Sequence, residues 1–298
     1  RGLAQAGAAD KALVDLLAAD LAARARAAAR PLPARAPLPG PAKAASETGK
    51  GLWSRVKTLV AQPSGTSGEP ADNLRRELAT PGASLEKRQI MWTALDGAVL
   101  ADVELARCSL KAVSLLGAAL TGTVFTATQF ADVNFESTRL DNVTFAGCRF
   151  LNCRFSEAVL RKVRFLDCDM RLCAFGGLAG EDVVMTGLDA LACDFIGATL
   201  AGLTLTRCRL RAVSLVRAVV HDCACQGVVF SDCLFEMATF VRIRFASVRT
   251  EGCYFAKSRF VGPTDEPDIL GAVARDESAA LEEAAQAGPP LPPALADG

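Results

Sequence analysis

The chain has 298 residues, of which 51% are hydrophobic and 22% are charged, and its 33 basic side chains balance 33 acidic ones. This length suits one large domain or two ordinary ones. The zero net charge excludes a whole-molecule field that would attract phosphate or imitate it, and the absence of a long apolar run excludes a predicted membrane-spanning helix.

The first 84 residues are rich in Ala and Pro and are predicted to form a helical appendage with linkers. Leu13 and Leu17 lie on the apolar face of a predicted helix over residues 10–29, and a second short helix is predicted around Trp53. Two interpretations stay open: these helices pack on the rest of the chain, or they dock into a partner's groove through Leu13, Leu17 and Trp53.

Residues 85–262 contain almost no Pro and are predicted to form the main domain. Its first segment, Ser84–Trp92, follows a break at Pro81-Gly82 and carries several charged residues before Ile90 and Met91. We expect this segment to be a short helix that caps the amino-terminal end of the domain.

A large apolar residue recurs at every fifth position of the main domain, and a small or β-branched residue stands two positions before most of them. The series continues in one phase to Phe260 and is clearest at these residues: Leu95, Leu100, Leu105, Leu110, Leu115, Leu120, Phe125, Phe130, Phe135, Leu140, Phe145, Phe150, Phe155, Leu160, Phe165, Met170 and Phe175.

A period of five fits neither an α-helix nor a straight strand. On a helix, residues five apart are rotated by roughly 140° from register, and on a strand an odd period sends them to opposite faces. Every large residue points inward only if the chain turns a corner once per five residues. The pattern therefore predicts a coil of short parallel strands.

This pattern resembles the pentapeptide-repeat family, in which a small residue, any residue, Leu or Phe, and two variable residues recur. Cys148-Arg149-Phe150-Leu151-Asn152 and Val133-Asn134-Phe135-Glu136-Ser137 carry the resemblance. It implies an all-β solenoid, a right-handed quadrilateral parallel β-helix with four repeats per coil and about eight coils. The expected structural ladder then contains Leu120, Phe135, Phe155, Phe175, Phe195, Cys153, Cys173 and Cys193.

The pattern weakens where Gly180 and Ala190 occupy positions for large residues. Leu178 and Leu188 stand two residues earlier, where small residues belong. The large and the small residue of each of these repeats have therefore exchanged positions. Because the volume of each layer is roughly kept, we expect the coil to continue, with a local bulge or change of curvature near Gly176-Gly177.

Residues 263–298 are acidic and Ala-rich and are predicted to form a carboxy-terminal helix followed by a Pro-rich tail. The helix is expected over residues 265–286, with Ile269, Leu270, Val273 and Leu281 as its apolar residues. It either caps the last coil or extends from it.

The cysteines and the single histidine are expected to have no catalytic role. Ten of the eleven cysteines fall at the small inward position, which indicates buried thiols and neither disulfides nor metal ligands. The single histidine, His221, follows a central residue and is expected on the surface. No nucleotide, metal or catalytic motif is present, so the sequence predicts no enzyme and no cofactor.

Outward charges offer a candidate interaction surface centred on Arg149, Arg154 and Arg164. Two interpretations of these charges stay open: a solvated mixed-charge face or a protein-docking patch. Binding to nucleic acid is disfavoured because outward aromatic residues are scarce. Outward apolar residues, including Leu116, Ile196 and Val216 in one column, offer a seat for a helix or for a homodimer through a rod face or end.

Two functions remain open at this stage. The first is a protein-interaction scaffold, expected in the cytoplasm because so many free thiols indicate a reducing compartment. The resemblance implies a bacterial origin, and the start at Arg1 suggests a piece of a larger, secretion-associated protein. The alternative is the DNA-mimic role known in some family members, which acts on DNA gyrase or another topoisomerase and needs an acidic face.

Overall fold

The computed structural model describes residues 68–261 and 280–282. The main body is a parallel β-solenoid of nine coils, in which neighbouring strands up to Arg259–Val261 pair twenty residues apart, as in Ser84↔Glu104 and Leu85↔Leu105. Four five-residue repeats therefore complete each coil. The count exceeds the expected eight because the series begins at Leu85, ten residues before the first clear repeat.

Each coil has four sides, which we name faces 1 to 4 in chain order. Face 1 is a nine-stranded sheet of Ser84–Glu86, Glu104–Ala106, Val124–Thr126, Thr144–Ala146, Arg164–Leu166, Val184–Thr186, Thr204–Thr206, Ala224–Gln226 and Arg244–Ala246. Face 2 is a nine-stranded sheet of Gln89–Met91, Ser109–Lys111, Gln129–Ala131, Arg149–Leu151, Asp169–Arg171, Asp189–Leu191, Arg209–Arg211, Val229–Ser231 and Arg249–Glu251.

Face 3 is held by single bridges that begin with Ala94↔Ser114 and end with Leu234↔Tyr254. Face 4 is a ten-stranded sheet of Val99–Ala101, Ala119–Thr121, Arg139–Asp141, Val159–Arg161, Ala179–Glu181, Thr199–Ala201, Val219–His221, Thr239–Val241, Arg259–Val261 and Ala280–Glu282. The corner between faces 3 and 4 closes a hydrogen-bonded turn, for example from Ala98 N to Leu95 O at 3.0 Å.

The core is a stack of similar layers, because the large side chain of each repeat lies directly over its counterpart in the next coil. Phe135, Phe155, Phe175 and Phe195 form a continuous stack with ring centroids 4.4–4.9 Å apart and planes within 7° of parallel. All four rings are buried, and so are Leu120, Cys153, Cys173 and Cys193. This spacing matches the separation of about 4.8 Å between neighbouring strands.

The weak stretch of the repeat continues the coil without a bulge. Ala179, Gly180 and Glu181 pair in register with Val159, Leu160 and Arg161, so no extra residue enters near Gly176-Gly177. A side chain on Gly180 would meet Leu200 Cδ2 at 2.7 Å and Leu178 Cδ2 at 3.6 Å. These leucines therefore occupy the space that the central residue leaves. Smaller centres at Val220 and Cys225 coincide with an apolar cavity of about 50 Å³.

The amino-terminal cap is a different segment from the predicted one. Residues 84–92 form two strands of the first coil and no helix, since Leu85 and Ile90 are inward central residues in the phase of the repeat. The end of the rod is covered instead by helix α1, Gly68–Leu78. Leu74 and Leu78 of α1 join the core, and Arg75 Nη2 donates to the carbonyl oxygen of Asp96 at 3.2 Å.

The described part of the carboxy-terminal region is a strand where a helix was expected. Ala280–Glu282 pairs in parallel with Arg259–Val261 and extends face 4, so Leu281 follows Phe260 in register. The other residues of the predicted carboxy-terminal helix and tail lie outside the described part, as do the predicted helices over residues 10–29 and around Trp53.

Candidate interaction surface

The inward cysteines act as small hydrogen-bonding core residues. Cys168 Sγ donates to the carbonyl oxygens of Phe145 and Leu166, each at 3.4 Å, and Thr128 Oγ1 makes the equivalent bonds at 3.1 Å. All eleven cysteines are free thiols. Burial raises the pKa of the Cys223 thiol to about 12, so this thiol stays protonated and unreactive at neutral pH. Within residues 68–261 and 280–282, no cluster of three or more potential ligands could hold a metal ion.

His221 occupies an outward position but is only 8% exposed, so the expectation of a surface histidine was wrong. Its Nδ1 lies 3.1 Å from Asp222 Oδ2, and the Arg242 guanidinium donates two hydrogen bonds of 2.6 Å to the same carboxylate. The bonds from Arg242 hold the pKa of Asp222 at about 2. The group is an ion-pair network that joins two neighbouring coils.

Arg149, Arg154 and Arg164 do not form one patch. Because five residues carry the chain around one corner, Arg149 lies on face 2, Arg154 on face 3, and Arg164 on face 1 of the next coil. Arg154 is half-buried, with Nη1 at 4.0 Å from Glu136 Oε2, whereas Arg149 and Arg164 are exposed. The three candidate residues therefore belong to three different faces of the rod, and a role for any of them in binding stays a prediction.

Faces 2 and 4 carry mixed charges that pair between neighbouring coils. On face 2, Arg211 Nη2 lies 3.2 Å from Asp189 Oδ1, and on face 4, Arg161 Nε lies 3.6 Å from Glu181 Oε2. These side chains are partly exposed to solvent, and pairs of this kind near the surface contribute roughly 0–1 kcal/mol each. Neither face presents a continuous row of carboxylates.

Face 1 is different because its central strands are almost free of charge. On the six strands of face 1 from Val124–Thr126 to Ala224–Gln226, Arg164 is the single charged outward residue; the others are Val124, Thr126, Thr144, Ala146, Leu166, Val184, Thr186, Thr204, Thr206, Ala224 and Gln226. Arg164 lies on the fifth of the nine strands and is exposed. We name this surface the neutral face.

Sequence reasoning missed the neutral face because it considered outward residues in chain order. The signal was available at a spacing of twenty, since Val124, Thr144, Arg164, Val184 and Thr204 lie on neighbouring strands. The other three predicted contact residues, Leu13, Leu17 and Trp53, lie outside the described part of the chain. No helix in the described part combines the length and apolar character needed to cross a membrane.

Comparison with solved structures finds a similar fold in QnrB1. A trypsin-treated variant of QnrB1, a plasmid-mediated fluoroquinolone resistance protein, superposes with a TM-score of 0.53 at 17% identity, covering 64% of this chain and 96% of that one. HetL, a pentapeptide repeat protein involved in heterocyst differentiation regulation from the cyanobacterium Nostoc sp. strain PCC 7120, gives a TM-score of 0.40 at 11% identity, covering 65% and 94%. No curated protein matches the chain by sequence.

The sequence itself matches a family model for pentapeptide repeats in eight copies, with matched segments over residues 104–141, 128–165 and 138–177. These segments lie in the second to fifth of the nine coils, and the same register continues on both sides of them. Four five-residue repeats per coil, stacked Phe or Leu centres and small inward partners are all present. The chain therefore belongs to the pentapeptide-repeat family.

Proposed function

We propose that this solenoid is a non-enzymatic scaffold that binds a protein partner through the neutral face. The observation that carries the proposal is a strip of six neighbouring strands, from Val124–Thr126 to Ala224–Gln226, on which Arg164 is the single outward charge. Charged residues are depleted at the centres of protein interfaces, while arginine is enriched there. The mixed charges of faces 2 and 4 suit solvent better than a partner.

The shape of the neutral face also suits a protein partner. Its strands pair in one continuous register, so the outward side chains form regular rows over a length of roughly 25 Å. Their small and β-branched side chains lose little conformational entropy when they are covered. Such a surface supports a flat, ordered contact with Arg164 as a central anchor.

The alternative function, a DNA mimic that acts on DNA gyrase or another topoisomerase, needs an unbroken acidic surface. Residues 91–262 carry 17 acidic and 18 basic side chains, and several acids pair with bases of the neighbouring coil. A supercoiling assay with DNA gyrase and micromolar purified protein is expected to show no inhibition. Clear inhibition would favour the alternative.

The proposed setting is the bacterial cytoplasm, as part of a larger, secretion-associated protein. Eleven free thiols in a core of stacked layers support a reducing compartment. The bacterial origin and the link to secretion are hypotheses that guide the choice of cells in which to search for the partner.

Affinity capture from bacterial lysate with matched variants tests the scaffold proposal. Arg164→Glu changes the centre of the neutral face, and Arg149→Glu makes the same change at an exposed, equivalent position on face 2. We expect one stoichiometric partner to be retained by the unaltered chain and by Arg149→Glu, and recovery to fall at least tenfold with Arg164→Glu. Equal recovery from both variants would show that the neutral face is not the docking surface.

A further inference from the structure

The neutral face has the width of a single secondary-structure element. Each of its strands has three residues, which span roughly 10 Å, before the chain turns a corner onto the next face. Its six strands extend over roughly 25 Å along the rod. The resulting area of about 250 Å² is well below the roughly 800 Å² that each partner contributes to a standard protein interface. These dimensions suit one narrow element of a partner better than a broad surface.

The backbone of the neutral face favours a helix over an extended peptide. From Val124–Thr126 to Ala224–Gln226, every strand pairs with a neighbour on both sides, so the face presents side chains and no free strand edge. An extended peptide on this surface would leave its own N–H and C=O groups without partners, whereas an α-helix satisfies them internally. An α-helix with its side chains is also about 10–12 Å across, which matches the width of the face.

The side chains on the neutral face and at its borders allow a helix to approach closely. Most of the outward residues on the six strands are Val, Thr or Ala. Five of the twelve corner residues that border the strip have no side chain: Gly122, Gly147, Gly187, Gly202 and Gly227. The charged corner residues are Lys162, Asp167, Asp182, Arg207 and Asp222. They lie at the edges of the strip, where interfaces are normally polar.

Arg164 specifies the charge of the partner. In the part of the chain that the structure describes, Arg164 has no ion-pair partner, whereas Arg154 on face 3 and Arg161 on face 4 each contact a glutamate. A guanidinium that is covered by an apolar surface loses its hydration without compensation. A partner that covers the strip must therefore bring an Asp or Glu to Arg164, whose planar group can hold a carboxylate through two hydrogen bonds.

Arg164 also argues against a second copy of this chain as the occupant. A two-fold axis that brings two neutral faces together places Arg164–Leu166 of one copy opposite the same strand or the neighbouring Val184–Thr186 of the other. The two guanidinium groups then lie within reach of each other, and the strands of the strip carry no outward acid to separate them. Such a contact between like charges disfavours the pairing.

We propose that the neutral face binds one amphipathic α-helix of a partner protein, which lies along the rod and carries a carboxylate over Arg164. This inference rests on the proposed function of the face and names the structural class of its partner. A helix of about 16–17 residues covers the strip, and one helical turn of about 5.4 Å is close to the strand spacing of about 4.8 Å. Apolar residues three or four positions apart therefore lie above successive strands. The carboxylate is expected about six residues from the helix end over Val124–Thr126.

Selection from a displayed library of 17-residue peptides tests the proposal. The unaltered full chain is the bait, and each recovered peptide is then measured against Arg164→Glu and against Arg149→Glu, the matched change on face 2. We expect peptides whose affinity falls at least tenfold with Arg164→Glu and is kept with Arg149→Glu. Their sequences should share apolar residues at three- and four-residue spacing around one Asp or Glu, and their circular dichroism should gain helical signal on binding.

A charge exchange provides the control for a direct contact. Replacement of the acid in a recovered peptide by Lys should weaken binding to the unaltered chain at least tenfold and restore binding to Arg164→Glu. Arg164-dependent peptides that bind in extended form or lack an acid would overturn the helix proposal and leave the neutral face as a docking surface. Recovery of no Arg164-dependent peptide would overturn it as well, whereas the proposed function is decided separately by capture from lysate.

Discussion

The corners of the coil require a left-handed backbone, and at four of them a glycine lies one coil after an aspartate. Asp102 has a φ of 55°, and Gly122, one coil later, has a φ of 61°. A Cβ on Gly122 would lie 2.1 Å from Asp102 Oδ1, and three further Asp–Gly pairs show the same closeness at 2.2–2.7 Å. The carboxylate therefore occupies the space above the glycine, which makes the two positions interdependent.

Gly122→Ala is expected to be more destabilising than Gly147→Ala. Both glycines have a φ of 61°, so both variants incur a similar left-handed cost of about 1–2 kcal/mol. Gly147 has open space, with Ala127 Cα at 4.0 Å, whereas Gly122→Ala must also displace Asp102. Chemical denaturation should show the larger loss in Gly122→Ala, and Asp102→Ala combined with Gly122→Ala should remove the excess. Equal losses in the two single variants would show that the carboxylate moves freely.

The ion pair of Asp222 with Arg242 predicts a small stability change at acid pH. The pKa of Asp222 is about 2 in the folded chain and 3.8 ordinarily, so its stabilisation is complete above 3.8 and is lost as the pH falls through about 2. Because the Asp222 side chain is 49% exposed, the effect should be within about 1 kcal/mol. Comparison of thermal midpoints from pH 5 to pH 2 should show a smaller decline for Asp222→Asn than for the unaltered chain. Parallel declines would mean that this pair contributes nothing.

At the level of a whole repeat, a layer can keep its volume while its large and small residues exchange places. Leu178 is buried two residues before Gly180, and an added Cβ on Gly180 would also lie 3.2 Å from Val183 Cγ2. The sequence predicted this exchange from residue sizes, and the strands on either side stay in register. It did not predict that Leu200 of the next coil also fills the space.

The double change Leu178→Ala with Gly180→Leu is expected to restore the usual pattern of the repeat. Leu178→Ala alone should cost about 2–5 kcal/mol by leaving a cavity, and Gly180→Leu alone about 1–3 kcal/mol by overpacking. The double variant should lose much less than the sum, since each change corrects the other. Additive losses in chemical denaturation would indicate that Leu200, not Leu178, determines the packing of this layer.

The repeat predicted the strands, the inward positions and the corners because a single steric requirement applies to every five residues. It failed at residues 84–92, where Glu86, Lys87 and Arg88 suggested a helix. In the structure these residues are outward or at a corner, and the inward positions Leu85 and Ile90 carry the period. Short windows rich in charged residues fit both structures, and the longer periodicity decides between them.

Other features could not be obtained from the period. Helix α1 has two apolar contact residues, Leu74 and Leu78, which are too few to stand out in a short polar segment. Val216 and His221 are buried although they stand at outward positions, which the five-residue period does not predict. The placement of Arg149, Arg154 and Arg164 on three faces, in contrast, follows from the period itself and was available from the sequence.

As a whole, the rod is a chain of coils in which each coil contacts only its neighbours. Strand pairing between coils connects residues twenty positions apart, and the stacked rings repeat the same contact. The stability of such a molecule is approximately a sum of local terms and interface terms between neighbours. Its ends are therefore its weakest parts, and α1 closes one of them by burying Leu78 against the first coil.

Removal of this cap should loosen the rod from one end. We expect Leu78→Ala to increase amide hydrogen exchange in residues 84–101 while residues 144–175 stay protected, because the lost contact is local and costs about 2–5 kcal/mol. Arg76→Ala, at an exposed position on the same helix, should leave both regions unchanged. Faster exchange throughout the rod in Leu78→Ala would show instead that the nine coils unfold as one cooperative unit, so that the cap stabilises all of them together.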